Sequence, residues 1–389
     1  MIKFKYLPIL LLPLGCIGIS SSFQLIAGVI FLYYYFNKNF ESDFKVFFTS
    51  KIVKHSFIFF LLWIIGMGIS DSLLNGSIKE SWNFFQRILP FFLVGMFSIR
   101  NNIFFKYAWI GIAVSLLIVD CNVIYHFFEQ GHLRPITMFN SPNRLGAFLI
   151  LLLPFVFGGI LNYKDDLILK FFGIIVFVLG IIALIISYSR GAMLGIILGI
   201  FICFVVIEYR KCNLRNFLLN IVAGIFICVL CALFIYMFFP EMISRSYDIE
   251  RVYLWQSAIR IFLDFPILGV GAGNFNEVYL NGYINTFAKE PNLVTPHNIY
   301  LWFASERGLV AVLPFIMMII YQISIFSKAV FTSDNKINIW ACCGLIVIVG
   351  MSVHGLVDTT MNNRTYQLMY WLLYGLSCYS IIYKEQNNE

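Results

Sequence analysis

The chain has 389 residues, 60% of them hydrophobic and 12% charged, with a mean hydropathy of +0.84 and a formal net charge of +7. These values lie far outside the soluble globular range, and no polar block is large enough for a separate soluble domain, so a single membrane domain over 1–389 is expected. The positive charge sits mostly in short Lys-bearing loops, which points to membrane topology and lipid contact and argues against a nucleic-acid partner.

In chain order, apolar segments fall at about 6–19, 21–36, 55–73, 82–99, 103–128, 144–162, 168–187, 190–207, 215–239, 297–326, 337–357 and 364–383. The chain is therefore predicted to be an all-α polytopic membrane protein of about 12 transmembrane helices. Lys3 and Lys5 precede the first segment, which reads as an uncleaved span because many more follow. The first two segments meet at Ser20 to Ser22, where a single kinked helix would lower the count. Of nine cysteines most lie within apolar segments, and Cys228 with Cys231 reads as a pair of small buried residues.

Placing the N-terminus inside puts thirteen of fifteen lysines on one side, including Lys45, Lys51, Lys54, Lys106, Lys164, Lys170, Lys211, Lys328 and Lys336. Both termini are then cytoplasmic. Nine of twelve arginines fall within or near the opposite half: Arg87, Arg134, Arg144, Arg190, Arg245, Arg251, Arg260, Arg307 and Arg364. Lysine orients the protein, whereas a planar, permanently charged fork suits a diphosphate, so arginines at the far face point to an anionic substrate there. Interfacial or solvated charge is the expectation for Arg87, Arg245 and Arg307.

The long outer loop, 240–296, lies between the ninth and tenth spans and is expected to form part of the active site. Within it, 250–263 reads as an amphipathic surface helix with Val252, Trp255, Ile259 and Phe262 at helical spacing, Asp248 as its N-cap, and Pro266 with Gly269 as its stop. Arg251 and Arg260, nine residues apart, fall on opposite faces. Arg260 is expected to pair with Asp264 at i+4, leaving Arg251 as the ligand candidate.

Thr295-Pro296-His297-Asn298 reads as an N-cap and first-turn proline, with His297 in the first turn of the tenth span. There the helix N-terminus would favour a neutral ring, as a general base requires. An interfacial histidine bonded to a loop is the structural alternative. Arg190 occupies the tight turn Ser187-Tyr188-Ser189-Arg190-Gly191 between two apolar spans, where its charge needs a partner. His354 stands at i+4 from Asp358, with Arg364 across the last outer turn, a grouping that would also satisfy buried charge. The run Gly269, Gly271, Gly273 lacks the strand context of a nucleotide loop and reads as a lid or tight turn. Asp248 and Glu250 are read as helix-start residues, with no metal site expected.

These same residues resemble the O-antigen ligase superfamily, which includes lipopolysaccharide ligases, O-antigen polymerases and protein O-oligosaccharyltransferases. The resemblance covers about 139–374 and rests on Phe139-Asn140-Ser141-Pro142-Asn143, Ser189-Arg190-Gly191-Ala192, Arg251 with Leu268-Gly269-Val270-Gly271-Ala272-Gly273-Asn274-Phe275, and His297-Asn298 ahead of Gly308. Ala311 stands where the ligase pattern has Gly, Thr or Val. The resemblance implies a GT-C-like, cofactor-free and metal-independent inverting glycosyltransferase in the bacterial inner membrane. Its donor would be an undecaprenyl-diphosphate-linked glycan used at the periplasmic face, and its acceptor lipid A-core. His297, Arg190 and Arg251 would be catalytic, with Arg364, Asp358, Asn298, Asn143, Gly271 and Gly273 binding substrate. O-antigen polymerisation and then protein O-glycosylation are the alternatives with the same chemistry. A lipid-linked glycan flippase is the non-enzymatic one, though it would place charges near the bilayer midplane rather than at one rim.

Overall fold

A computed structural model describes residues 6–18, 25–30, 40–97, 103–211, 214–225, 247–289, 295–332 and 335–387. Its helices are α1 (Leu7–Ile17), α2 (Phe40–Thr49), α3 (Lys51–Leu73), α4 (Ile78–Gln86), α5 (Leu89–Val94), α6 (Ile103–Gln130), α7 (Pro142–Asn162), α8 (Leu167–Ser187), α9 (Arg190–Lys211), α10 (Leu214–Ile225), α11 (Tyr247–Asp264), α12 (Ile299–Ala329), α13 (Ile339–His354) and α14 (Arg364–Asn387). Short helical turns add 25–30 and 275–283.

Six of these are long and apolar enough to cross a membrane: α3, α6, α7, α8, α9 and α12. Among the described residues the other predicted spans fall short of that length or apolarity. The fourth predicted span, 82–99, is split into α4 and α5 by a turn at Arg87 and Ile88, just ahead of Pro90. α1 and α13 are shorter than a full span, and α14 is long but carries too many polar residues to qualify on hydropathy. The ninth predicted span is described only as α10, and Ser20 to Ser22, Cys228, Cys231 and Arg245 lie outside the described residues.

α8 shows why such helices suit a bilayer. Ile168, Phe171, Ile175, Val178, Ile182 and Ile185 form an exposed apolar stripe at steps of three and four, while Gly173, Gly180 and Ala183 face inward. Water would penalise that stripe and lipid would not. The inner face uses small residues for close approach. In α9, Gly191, Gly195 and Gly199 repeat every four residues against α13, and a Cβ on Gly195 would lie 2.6 Å from the Gly350 carbonyl oxygen.

α7 is the most buried span, packed on α6, α8, α9 and α13, while α3 pairs with α12 and α5 with α14. Lys106 at the start of α6 bridges to Asp166, the N-cap of α8, at 2.9 Å, which marks the Lys-bearing end of the bundle. The starts of α7, α9, α12 and α14 gather at the other end.

Candidate active site

α12 begins three residues later than its sequence implies, with Asn298 in place of Thr295 as its N-cap, and this changes the setting of His297. Asn298 is the N-cap, its Oδ1 accepting from Tyr300 N and Leu301 N at 3.0 Å each, and its Nδ2 donates to the Leu356 carbonyl at 3.0 Å. Both ends of the Asn298 amide are thus engaged within the fold. Thr295 does not cap the helix; its hydroxyl meets that of Thr359 at 3.2 Å. His297 lies outside the first turn, in the left-handed region at φ +49°, a conformation that non-glycine residues hold only where their surroundings impose it.

That backbone turn aims the ring at the loop after α13. His297 Nδ1 is 3.7 Å from Asp358 Oδ1, too long for a formed hydrogen bond and close enough for an ion pair when the ring is charged. Nδ1 is buried while the His297 side chain as a whole is 34% exposed, so the opposite edge, with Nε2, faces out. Burial alone would raise the Asp358 carboxyl; His297, the charge of His354 and the Thr359 backbone N–H together hold it down at about 2.

Three further groups come to this place. Asp358 N donates to the His354 carbonyl at 3.1 Å, and Ile299 N to that of Gly355 at 2.8 Å, tying the ends of α12 and α13 together. A Cβ on Gly191 would lie 2.5 Å from Val357 Cγ2 and 3.3 Å from His354 Cδ2, so the α9 start abuts the same loop. Arg251 on α11 is near enough to His354 to act on it electrostatically, and makes no hydrogen bond or ion pair with any described residue. His354 is buried, and its Nδ1 has no hydrogen-bond partner among the described residues.

Arg190 has the partner its position demanded. Both of its terminal nitrogens bond Asp248, at 3.0 and 2.5 Å, in a bidentate fork with the side chains 30% and 41% exposed. Asp248 is therefore an arginine ligand inside α11, which starts at Tyr247, rather than its N-cap. Glu250 accepts from Lys289 N at 3.0 Å. The expected Arg260–Asp264 pair is replaced by Tyr283, whose hydroxyl donates to Asp264 at 2.5 Å. Arg260 is exposed and Arg251 half-buried, as opposite helix faces require.

Asn143 stands in the first turn of α7, half-buried, its side chain making no hydrogen bond to described residues. Arg364 does not act on Asp358; it faces Arg87 across a groove that also includes Trp82, Phe85 and Phe92. Arg87 lies over the Phe84 ring at 5.8 Å and donates to the Asn362 carbonyl, so it is more enclosed than the solvated charge expected.

The glycine run lies elsewhere. Gly308, at φ +63°, breaks the α12 hydrogen-bond ladder, and the segment 266–271 fills the break. Leu309 N and Val310 N donate to the Pro266 and Ile267 carbonyls, while Val270 N and Gly271 N donate to those of Ser305 and Glu306. Four backbone groups orphaned by the kink are thereby paired. Gly271 contacts Leu74 and Asn274, and Gly273 bonds Glu306 through its backbone, about 14 Å along the helix from His297 at 1.5 Å per residue. This segment is a strap clamped to α12.

Beneath the strap lies a group that sequence reading missed. Arg307, expected to be a surface charge, is fully buried and meets Asp71 at 3.2 Å, Glu80 at 3.1 Å and Glu306 at 3.4 Å. Asp71 also accepts from Ser81 and from Ala272 N. The available signal was a Glu-Arg-Gly triplet inside an apolar segment, where charge is costly unless paired.

These features define an all-helical membrane protein with an arginine- and histidine-bearing site at one end of its bundle. The O-antigen ligase family model matches residues 175–316, a span that holds Arg190, Arg251, the glycine strap, His297 and Arg307, and it supports membership in the O-antigen ligase superfamily of glycosyltransferase-like enzymes. No curated protein matches the chain.

Proposed function

We propose that this protein is an O-antigen ligase that transfers a glycan from undecaprenyl diphosphate to lipid A-core at the periplasmic face of the inner membrane. The observation that carries this reading is the His297–Asp358 contact. Asp358 faces Nδ1 and the opposite edge of the ring is left open, while Arg251 acts on the neighbouring His354 and the start of α9, which carries Arg190, abuts the same loop. Such a ring accepts a proton at Nε2 while a carboxylate stabilises the imidazolium that forms.

In the proposed reaction an acceptor hydroxyl oxygen attacks the anomeric carbon, its proton passes to His297 Nε2, and the bond to the lipid diphosphate breaks. A single displacement inverts the anomeric centre. Charge on the departing diphosphate would be met by Arg251 and by the Arg190 fork as it turns from Asp248, so the reaction is expected to proceed in excess EDTA. Asn143, Asn298, Arg364, Gly271 and Gly273 are proposed to shape substrate binding, Asn298 and the glycines through the backbone they hold rather than by direct contact.

The deciding experiment is the glycolipid profile of a deletion strain. Full-length polymer stranded on the lipid carrier supports ligation; single repeats on lipid A-core would make the protein the polymerase, which uses the same donor chemistry. Lipid A-core without added glycan, with lipid-linked repeats trapped on the cytoplasmic side, would favour a flippase.

A further inference from the structure

At the Lys-bearing end, remote from His297, the start of α3 and the ends of α12 and α14 enclose a cavity of about 570 Å³. One wall is apolar, formed by Ile52, Ile325, Phe331 and Ile381, and its rim carries Lys328 and Lys384 with Glu385 as the acid in the lining. More positive charge surrounds it. Arg210 and Lys211 lie over the Phe331 ring at 5.9 and 5.8 Å, Arg210 donates to the Lys328 carbonyl at 3.1 Å, and Lys336 is within electrostatic range of Lys384. Five basic residues therefore face one acid among the described residues.

Asn338 supplies an independent observation. It lines the cavity and is only 2% exposed; its Oδ1 caps α13 by accepting from Ala341 N, and its Nδ2 makes no hydrogen bond to any described residue. An amide donor that lines a cavity and has no partner in the surrounding protein is free to bond an acceptor placed there. The required ligand therefore has an anionic, hydrogen-bond-accepting head and an apolar body.

We propose that this cavity binds the phosphate headgroup of an anionic diacyl phospholipid, held by Lys328, Lys384 and Asn338, with an acyl chain along Ile52, Ile325 and Ile381. Diffuse attraction would treat every lysine at this end alike; a built site makes these two special. The inference is independent of the glycan-transfer reading.

The test is a titration of the detergent-solubilised full chain with phosphatidylglycerol, phosphatidylcholine or glycerol phosphate, read by native mass spectrometry and by thermal shift. Phosphatidylglycerol is expected to be retained and to raise Tm where the other two do not. At about 1 kcal/mol per basic residue, K328Q and K384Q should each weaken retention about fivefold. N338D keeps a good helix cap but turns a carboxylate toward the ligand, and should weaken retention while leaving the lipid-free Tm near that of the parent. K45Q with K54Q, at the same end but outside the cavity, should change nothing. Equal retention of phosphatidylcholine, equal loss in the Lys45 and Lys54 variant, or binding of glycerol phosphate as tight as that of the lipid would each overturn the proposal.

Discussion

Two arginine-bearing regions of this molecule use the same side chain in opposite ways. Arg307 is sealed in the interior with three carboxylates around it, and its charge is consumed by the fold. Arg251, half-buried near His354, makes no ion pair with a described residue, and Arg190 is bonded to a partly exposed aspartate at the surface of the bundle end. Burial and the count of local acids separate an arginine that holds structure from one that meets a ligand, and residue type alone does not. The buried group positions the strap and the α12 kink; the open group lies where α9 and α11 approach the loop after α13.

The largest effect should come from breaking the sealed group. Arg307→Ala leaves Asp71 and Glu306 without their cation, and removing one partner of a buried ion pair costs about 3–5 kcal/mol. Folded protein recovered from membranes should fall sharply, as size-exclusion profiles in detergent would show; normal recovery would mean the cluster contributes little to the fold.

At the open site, His297→Ala should lower glycan transfer about 10²–10⁴-fold with membrane abundance unchanged, because a partly exposed loop residue contributes little packing. Most activity surviving in a purified assay would shift the base role to His354.

Arg251 and Arg260 sharpen the contrast further. Arg251→Lys keeps charge and loses the fork, so transfer should drop roughly tenfold, the worth of about one charge-assisted hydrogen bond. Arg260→Lys, on the exposed face, should be near neutral. Equal sensitivity would contradict the observed helix phase.

The smallest expected change concerns pH. The Asp358 carboxyl lies at about 2 against an ordinary 3.8, so its contribution is fully present above about pH 4 and is lost as pH falls through 2. Between pH 5 and 9 it stays ionised. Asp358→Asn should therefore lower the rate of glycan transfer across that range; an unchanged rate would show that Asp358 does not support His297 in the reaction.

Composition and periodicity were sufficient for the helical membrane class, for the limits of α6, α7, α8 and α9, and for the opposite faces of Arg251 and Arg260, because each follows from local apolar spacing. Lysine and arginine also segregate along the sequence, which singles out a set of arginines without telling which of them meet. What spacing could not reveal is which distant segments meet. Asp248 reads as a helix cap until α11 is laid against the α9 start, and Arg307 reads as a surface charge until Asp71 and Glu80 arrive from other helices. The glycine run likewise became a strap only because Gly308 breaks a helix over 30 residues away and leaves backbone groups that must be paired. Local sequence determines where helices start and which faces are apolar, through backbone sterics and transfer free energy. Tertiary packing decides which charges are neutralised and which remain available, because that depends on the partners and the desolvation imposed by segments far apart in the chain.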